Sequence, residues 1–285
     1  MINGLHRTLT VLAITSLVVL SGYAQVPASK YQTPGASNQD GLILAAEQGD
    51  AQVLLKFMAR GAQLDGFDKH GRTALLAATE AGKRDIAHTL LAAGASATAT
   101  KSDGWSPLMS AAQKGHADLV AVYIDAGASV HTNLPNGYSP LMAAIESGNN
   151  ELVASLINLG ASANQGTTDG WTPLMAAAMR GQPDIVRELL AVGANPDARN
   201  RDAWTALLAA VETGKEEVVQ ALVEGNADVD AAPWDGWTPL MRATAKGDSW
   251  MVATLKDRGA STVAELADTD LSVAVVEPLV SDPPR

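Results

Sequence analysis

The chain repeats itself every 33 residues, and that step limits its fold more than any other property. Asp103-Gly104-Trp105-Ser106-Pro107-Leu108-Met109 returns as Asn136-Gly137-Tyr138-Ser139-Pro140-Leu141-Met142 and as Asp169-Gly170-Trp171-Thr172-Pro173-Leu174-Met175. It returns again as Asp235-Gly236-Trp237-Thr238-Pro239-Leu240-Met241, and weaker copies stand at Gly71–Leu76 and Ala203–Leu208. No copy is offset by an insertion or deletion. Gly49, Gly82, Gly115, Gly148, Gly181, Gly214 and Gly247 keep the same step. A second row, Gly61, Gly94, Gly127, Gly160, Gly193 and Gly259, is broken only by Asn226. Asn is the other residue that tolerates the left-handed conformation ending a helix, so the exception supports the frame.

Within each unit the residues predict two short helices. Thr172 or Ser106 can cap the first by accepting a bond from a free backbone N–H. Pro173 or Pro107 then occupies the first helical position, where its missing donor costs nothing. The helix closes at Gly181 or Gly115. Asp85, Asp118, Glu151, Asp184 and Glu217 lie near the start of the second helix, where negative charge suits the helix dipole. Its apolar stripe reads Leu152, Val153, Leu156, Ile157 in one copy and Ile185, Val186, Leu189, Leu190 in another, a spacing that buries one face. One unit cannot bury enough apolar surface to stand alone; a stack can.

The 33-residue unit with its Thr-Pro-Leu head resembles the ankyrin repeat, a β-turn followed by two helices. The resemblance covers roughly Asn38 to Ala260, seven units. One departure stands out. The family's His after Thr-Pro-Leu is replaced in every copy, by Leu76, Met109, Met142, Met175, Leu208 and Met241. The resemblance implies an all-α ankyrin-repeat solenoid of helix-turn-helix and hairpin-turn units, and a non-enzymatic scaffold that binds another protein.

The flanks read differently. Residues 1–24 have the form of a secretory signal: His6 and Arg7, then an apolar run from Leu9 to Leu20, then Gly22-Tyr23-Ala24, with cleavage predicted before Gln25. The run is too short for the roughly 20 residues of a membrane-spanning helix. Residues 25–37 form a Pro-, Gly- and Ser-rich leader, 38–260 the repeat domain, and 261–285 a C-terminal cap and tail. Val273 falls 33 residues after Leu240, so the apolar run Leu271–Val276 reads as a truncated half-repeat. There is no cysteine, which fits a repeat protein exported to a bacterial periplasm without disulfides. Loss of Arg7 with the signal leaves 19 basic against 31 acidic residues, a charge of −12. That excess argues against nucleic acid and anionic lipid, and favours a basic protein as partner.

Signals for chemistry are poor. The five histidines have no close metal-ligand spacing, no serine lies in a G-x-S-x-G setting, and every glycine belongs to the repeat. His116 reads as part of the turn between two helices. The methionine row at 109, 142, 175 and 241 suggests a soft-metal site, but one Met per helix cannot gather several sulfurs on one ion when helices pack about 8–10 Å apart. Core packing is the better account, and no cofactor is expected.

An aromatic row is the better candidate. Trp105, Tyr138, Trp171, Trp204 and Trp237 fall one per repeat just before the first helix, with Trp234 beside the last. Each ring can shield its neighbour's turn, serve as an anchor for a partner, or do both. The exposed end of each first helix adds Glu80, Gln113, Lys114, Glu146, Met179, Arg180, Glu212, Arg242 and Lys246, which vary while the scaffold repeats. The partner-binding candidates are therefore the five rings with Lys114, Arg180 and Lys246. The expected role is an accessory or stabilising factor for an exported protein; an inhibitor or immunity protein is the alternative.

Overall fold

The structure is a computed structural model that describes residues 37–262. The signal expected at 1–24, nearly all of the expected leader and the half-repeat expected at 271–276 lie outside the described residues. Fourteen helices and no strand are found among those residues, in seven pairs. The first helices of the pairs are α1 (Asn38–Gln48), α3 (Ala74–Glu80), α5 (Pro107–Lys114), α7 (Pro140–Ser147), α9 (Pro173–Arg180), α11 (Ala206–Glu212) and α13 (Pro239–Lys246). The second helices are α2 (Ala51–Ala59), α4 (Arg84–Ala92), α6 (Ala117–Asp125), α8 (Asn150–Asn158), α10 (Pro183–Ala191), α12 (Glu216–Glu224) and α14 (Ser249–Asp257).

The caps are those the sequence predicts. Thr73, Ser106, Ser139, Thr172, Thr205 and Thr238 each accept a bond from the backbone N–H three residues on. That satisfies one donor that a helix start would otherwise leave unpaired, worth about 1 kcal/mol per helix. Gly115, Gly148, Gly181 and Gly247 end first helices in the left-handed region, and Asn226 adopts it too, at φ 61. His116 is the N-cap of α6, in the turn between helices. The first unit departs from the pattern for a visible reason. Its helix starts at a capping box between Ser37 and Asp40, and a Cβ at Gly41 would run into the Phe57 ring.

First helices pack on first helices of adjacent units along the whole stack, from α1 on α3 to α11 on α13. Alanine-rich sequences make this close approach possible: Ala77, Ala78, Ala111, Ala112, Ala143, Ala144, Ala177 and Ala178 are all fully buried. Met109, Met142 and Met175 are buried to within 2 % of complete, so the methionines fill core space at the departed His position. Tyr123 of α6 is fully buried, and its hydroxyl bonds Thr79 of the preceding unit. Burial pushes that phenol up to about 12.

Turns project between units. In most of them a backbone N–H donates to the carbonyl four residues on, as Lys101 does to Trp105, Leu134 to Tyr138, Thr167 to Trp171 and Asn200 to Trp204, at 2.9–3.0 Å, whereas Pro233 at the same position has no N–H. The position before the ring must have positive φ. Gly104, Gly137, Gly170 and Gly236 supply it, and Ala203 adopts it at φ 60 with the strain a Cβ brings. Two pairs of adjacent turns join edge to edge: Thr168 N–H bonds the Asn136 carbonyl at 2.7 Å and Arg201 N–H the Asp169 carbonyl at 2.8 Å. Pro135, at the same frame position, has no N–H to give. Carboxylates and amides add register between loops, with Asp65, Asn164, Asp197 and Asp230 each accepting from the N–H 31 residues on, at 2.7–2.8 Å.

Candidate functional site

A side chain two or four positions before each ring explains why the rings hold their place. Asp103 accepts from Trp105 N–H at 2.9 Å, Asn136 from Tyr138 at 3.0 Å and Asp235 from Trp237 at 3.0 Å. The Thr167 hydroxyl takes the Trp171 N–H at 3.1 Å and the Asn200 amide the Trp204 N–H at 2.8 Å. These side-chain-closed turns fix the backbone from which each ring projects.

The rings then divide. Trp105, Tyr138, Trp171 and Trp204 are half-buried, while Trp237 is 43 % exposed and Trp234 82 %. Trp105 stacks on Tyr138 with ring centres 5.8 Å apart and donates its indole N–H to Ser110 at 2.8 Å. Tyr138 and Trp171 pack against the core. Trp204 lies under the Arg242 guanidinium, 4.9 Å from ring centre to carbon. Trp234 bonds the Arg201 carbonyl at 2.8 Å and leaves its ring face in solvent. So the row is both packing and surface.

Charges run alongside. Frame-equivalent carboxylates Glu47, Glu80, Glu146 and Glu212 line the ends of α1, α3, α7 and α11, and each meets a cation. Arg180 pairs with Glu146 at 3.6 Å and Lys246 with Glu212 at 3.2 Å; both belong to the exposed cations singled out from sequence. Lys114 is exposed at a groove with Trp105, Ser110 and Gln113. At the second repeat Arg72 occupies the ring position and holds Asp68 and Glu47 at 3.0 and 3.3 Å. Such partly exposed pairs contribute little stability, about 0–1 kcal/mol each, but they orient long side chains.

One open groove of about 710 Å³ lies between the fourth and fifth units, lined among others by Tyr138, Glu146, Asp169, Trp171, Met179 and Arg180. The Tyr138 hydroxyl is buried and makes no hydrogen bond. Burial pushes its ionisation far above the ordinary tyrosine range; the Glu146 charge adds to this and Arg180 opposes it. The Thr167 hydroxyl bonds Asp169 and holds its carboxyl below the usual range, so the groove keeps that negative charge.

The family model of ankyrin repeats (3 copies) matches this chain in four overlapping spans, residues 26–101, 42–133, 108–200 and 174–265. The chain belongs to the ankyrin-repeat family. A comparison with curated proteins finds no match. Ankyrin repeats are in general protein–protein interaction modules and typically non-enzymatic. In this chain the turns and first-helix ends carry the rings and the charged row. No group of three or more His, Asp or Glu side chains with metal-site geometry occurs among the described residues, and no helix there is long and apolar enough to cross a membrane. Reading the sequence unit by unit picked out the ring row and the cations but missed Asp169 and Ala176. Comparing frame positions two repeats apart is the signal that finds them.

Proposed function

We propose that this ankyrin-repeat protein is an exported scaffold that docks another protein of the cell envelope along its turn tips and first-helix ends. The role that fits best is an accessory factor that stabilises or positions the partner. The observation carrying this reading is preorganisation. Rings at five successive turns are held by side-chain-to-backbone bonds, and the cations beside them are held by carboxylates of the neighbouring unit. A surface already ordered before binding loses little conformational entropy on complex formation, which favours affinity. Export rests on the N-terminal pattern of 1–24. The acidic charge of the chain, −11 in all, favours a partner with a basic docking segment.

The test is capture from the native cell with a tag at Arg285, comparing the parent with a Trp171→Ala, Trp204→Ala double variant. One stoichiometric partner from the periplasmic fraction, lost or much reduced in the folded double variant, supports docking. Assay of that partner alone and in complex separates the roles: activity or lifetime rises with an accessory protein and falls to nothing with an inhibitor. Equal capture by both forms contradicts the assigned face, and tagged protein retained in the cytoplasm contradicts export.

A further inference from the structure

The seam between the sixth and seventh units holds an arginine of this chain in a built site. The Arg242 guanidinium lies 4.9 Å over the Trp204 ring, donates from Nη1 to Glu212 at 3.3 Å and from Nη2 to Asp235 at 2.5 Å, and leaves its side chain only 13 % exposed. Lys246 meets the same Glu212, so one carboxylate serves two cations.

Two units earlier the same frame positions are Tyr138, Glu146, Asp169 and Ala176, with Arg180 at the Lys246 position. The ring, both carboxylates and the second cation are retained. A methyl group stands where Arg242 stands. All five residues line the open groove between the fourth and fifth units. Counted over these positions, the later seam balances: Glu212 and Asp235 against Arg242 and Lys246. Over the same positions the earlier seam has Glu146 and Asp169 against Arg180, one cation fewer, while Arg201 of the next turn also acts on Asp169. The Tyr138 hydroxyl adds a buried polar group without a hydrogen bond, which the indole at the Trp204 position does not have.

The other seams lack the set. Trp105 is accompanied by Gln113 and Asn136, and Trp171 by Met179 and Asp202, each pair short of at least one carboxylate. Glu80 and Asp103 are both present one seam earlier, but Arg72 replaces the ring and Lys101 bonds Glu80 at 2.8 Å.

We propose that the groove between the fourth and fifth units receives the guanidinium group of an arginine presented by the docking protein, seated on Tyr138 between Glu146 and Asp169. This deepens the docking reading and rests on it. Arginine fits better than lysine because a planar fork can stack on a ring and reach two carboxylates at once, whereas an ammonium is a point charge.

The test is an NMR titration of the full chain with N-acetyl-Gly-Arg-Gly-amide, the same peptide with Lys, and free L-arginine. The arginine peptide should shift the backbone amides of 136–138 and 169–171 and the Trp171 indole N–H saturably, at one site. The lysine peptide should bind about tenfold more weakly. Ala176→Arg should place the side chain internally, keep the far-UV spectrum of the parent and abolish the titration. Arg242→Ala should open the later seam and raise the stoichiometry from one to two. No saturable shift, or a shift that persists in Ala176→Arg, overturns the proposal, and lysine binding as tightly overturns the choice of guanidinium. Free L-arginine binding more tightly than the blocked peptide overturns presentation by a protein. If Ala176→Arg fails to fold, Glu146→Gln with Asp169→Asn gives the same reading, with loss of the shift expected. A captured partner whose binding ignores Ala176→Arg contradicts this inference alone, while peptide binding without any captured partner contradicts the docking reading.

Discussion

The seam between units six and seven and the seam between units four and five share one backbone plan and differ in one consequential side chain. Both have a ring from the earlier turn, a glutamate at the end of the earlier first helix and an aspartate in the later turn. Arg242 covers Trp204 in one; Ala176 leaves the Tyr138 groove open in the other. Seven copies of a scaffold thus give six chances to fill or open a seam without disturbing the core beneath it. The residues that repeat build the stack, and those that do not repeat decide what its surface accepts.

The largest expected effect tests whether the two seams rest on equal foundations. Leu141 and Leu207 occupy corresponding buried positions on α7 and α11, 1 % and 0 % exposed. Replacing either by Ala should cost about 2–5 kcal/mol in urea unfolding, with similar values at the two sites. A large gap between them breaks the comparison.

Alkaline pH should come next. Tyr123 is held protonated to about 12 and Tyr138 higher still, against an ordinary value near 10. Because the unfolded tyrosines ionise first, their contribution is complete below pH 10 and is lost as pH rises through the folded values, by about 3 kcal/mol for Tyr123. Tyr123→Phe should remove that part of the loss. Tyr138→Trp, which converts the ring of the earlier seam into that of the later, should remove a further part, seen in denaturant midpoints across pH 9–12.

Arg242→Ala should cost about 1–2 kcal/mol, since it removes a ring contact and takes from Glu212 and Asp235 the guanidinium they share, leaving Glu212 to Lys246. Ala176→Arg should cost nothing or stabilise slightly. One small effect has the opposite sign. Ala203→Gly relieves a left-handed alanine in the turn that carries Trp204 and should stabilise by about 0.5–1 kcal/mol in thermal unfolding.

Much of this fold was readable from residues alone because a repeat states each rule several times. Thr or Ser before Pro marks a cap four times over and before Ala twice more, and the caps, the glycine-ended helices and the buried methionines follow from local chemistry plus the period. Asn226 could be placed for the same reason. The site was less legible. The aromatic row is visible as a periodic feature, but whether Trp105 stacks or Trp204 is covered depends on side chains 33 and 38 residues away. Ala176 is silent by itself. It acquires meaning only beside Arg242, and the contacts of Arg242 are a property of packing between units. Arg72 similarly breaks the ring row for a reason, a guanidinium shared by the three carboxylates Glu47, Asp68 and Glu80, that no single repeat contains.

The central claim is that partners dock on the turns and first-helix ends, not on the second-helix face. Hydrogen exchange of this chain, free and bound to the protein it captures, tests it most directly. The account predicts added protection concentrated at 103–106, 136–139, 169–172 and 235–238 and at the ends of α5, α7 and α9. Protection centred on α6, α8 and α10, with the turns unchanged, would contradict it.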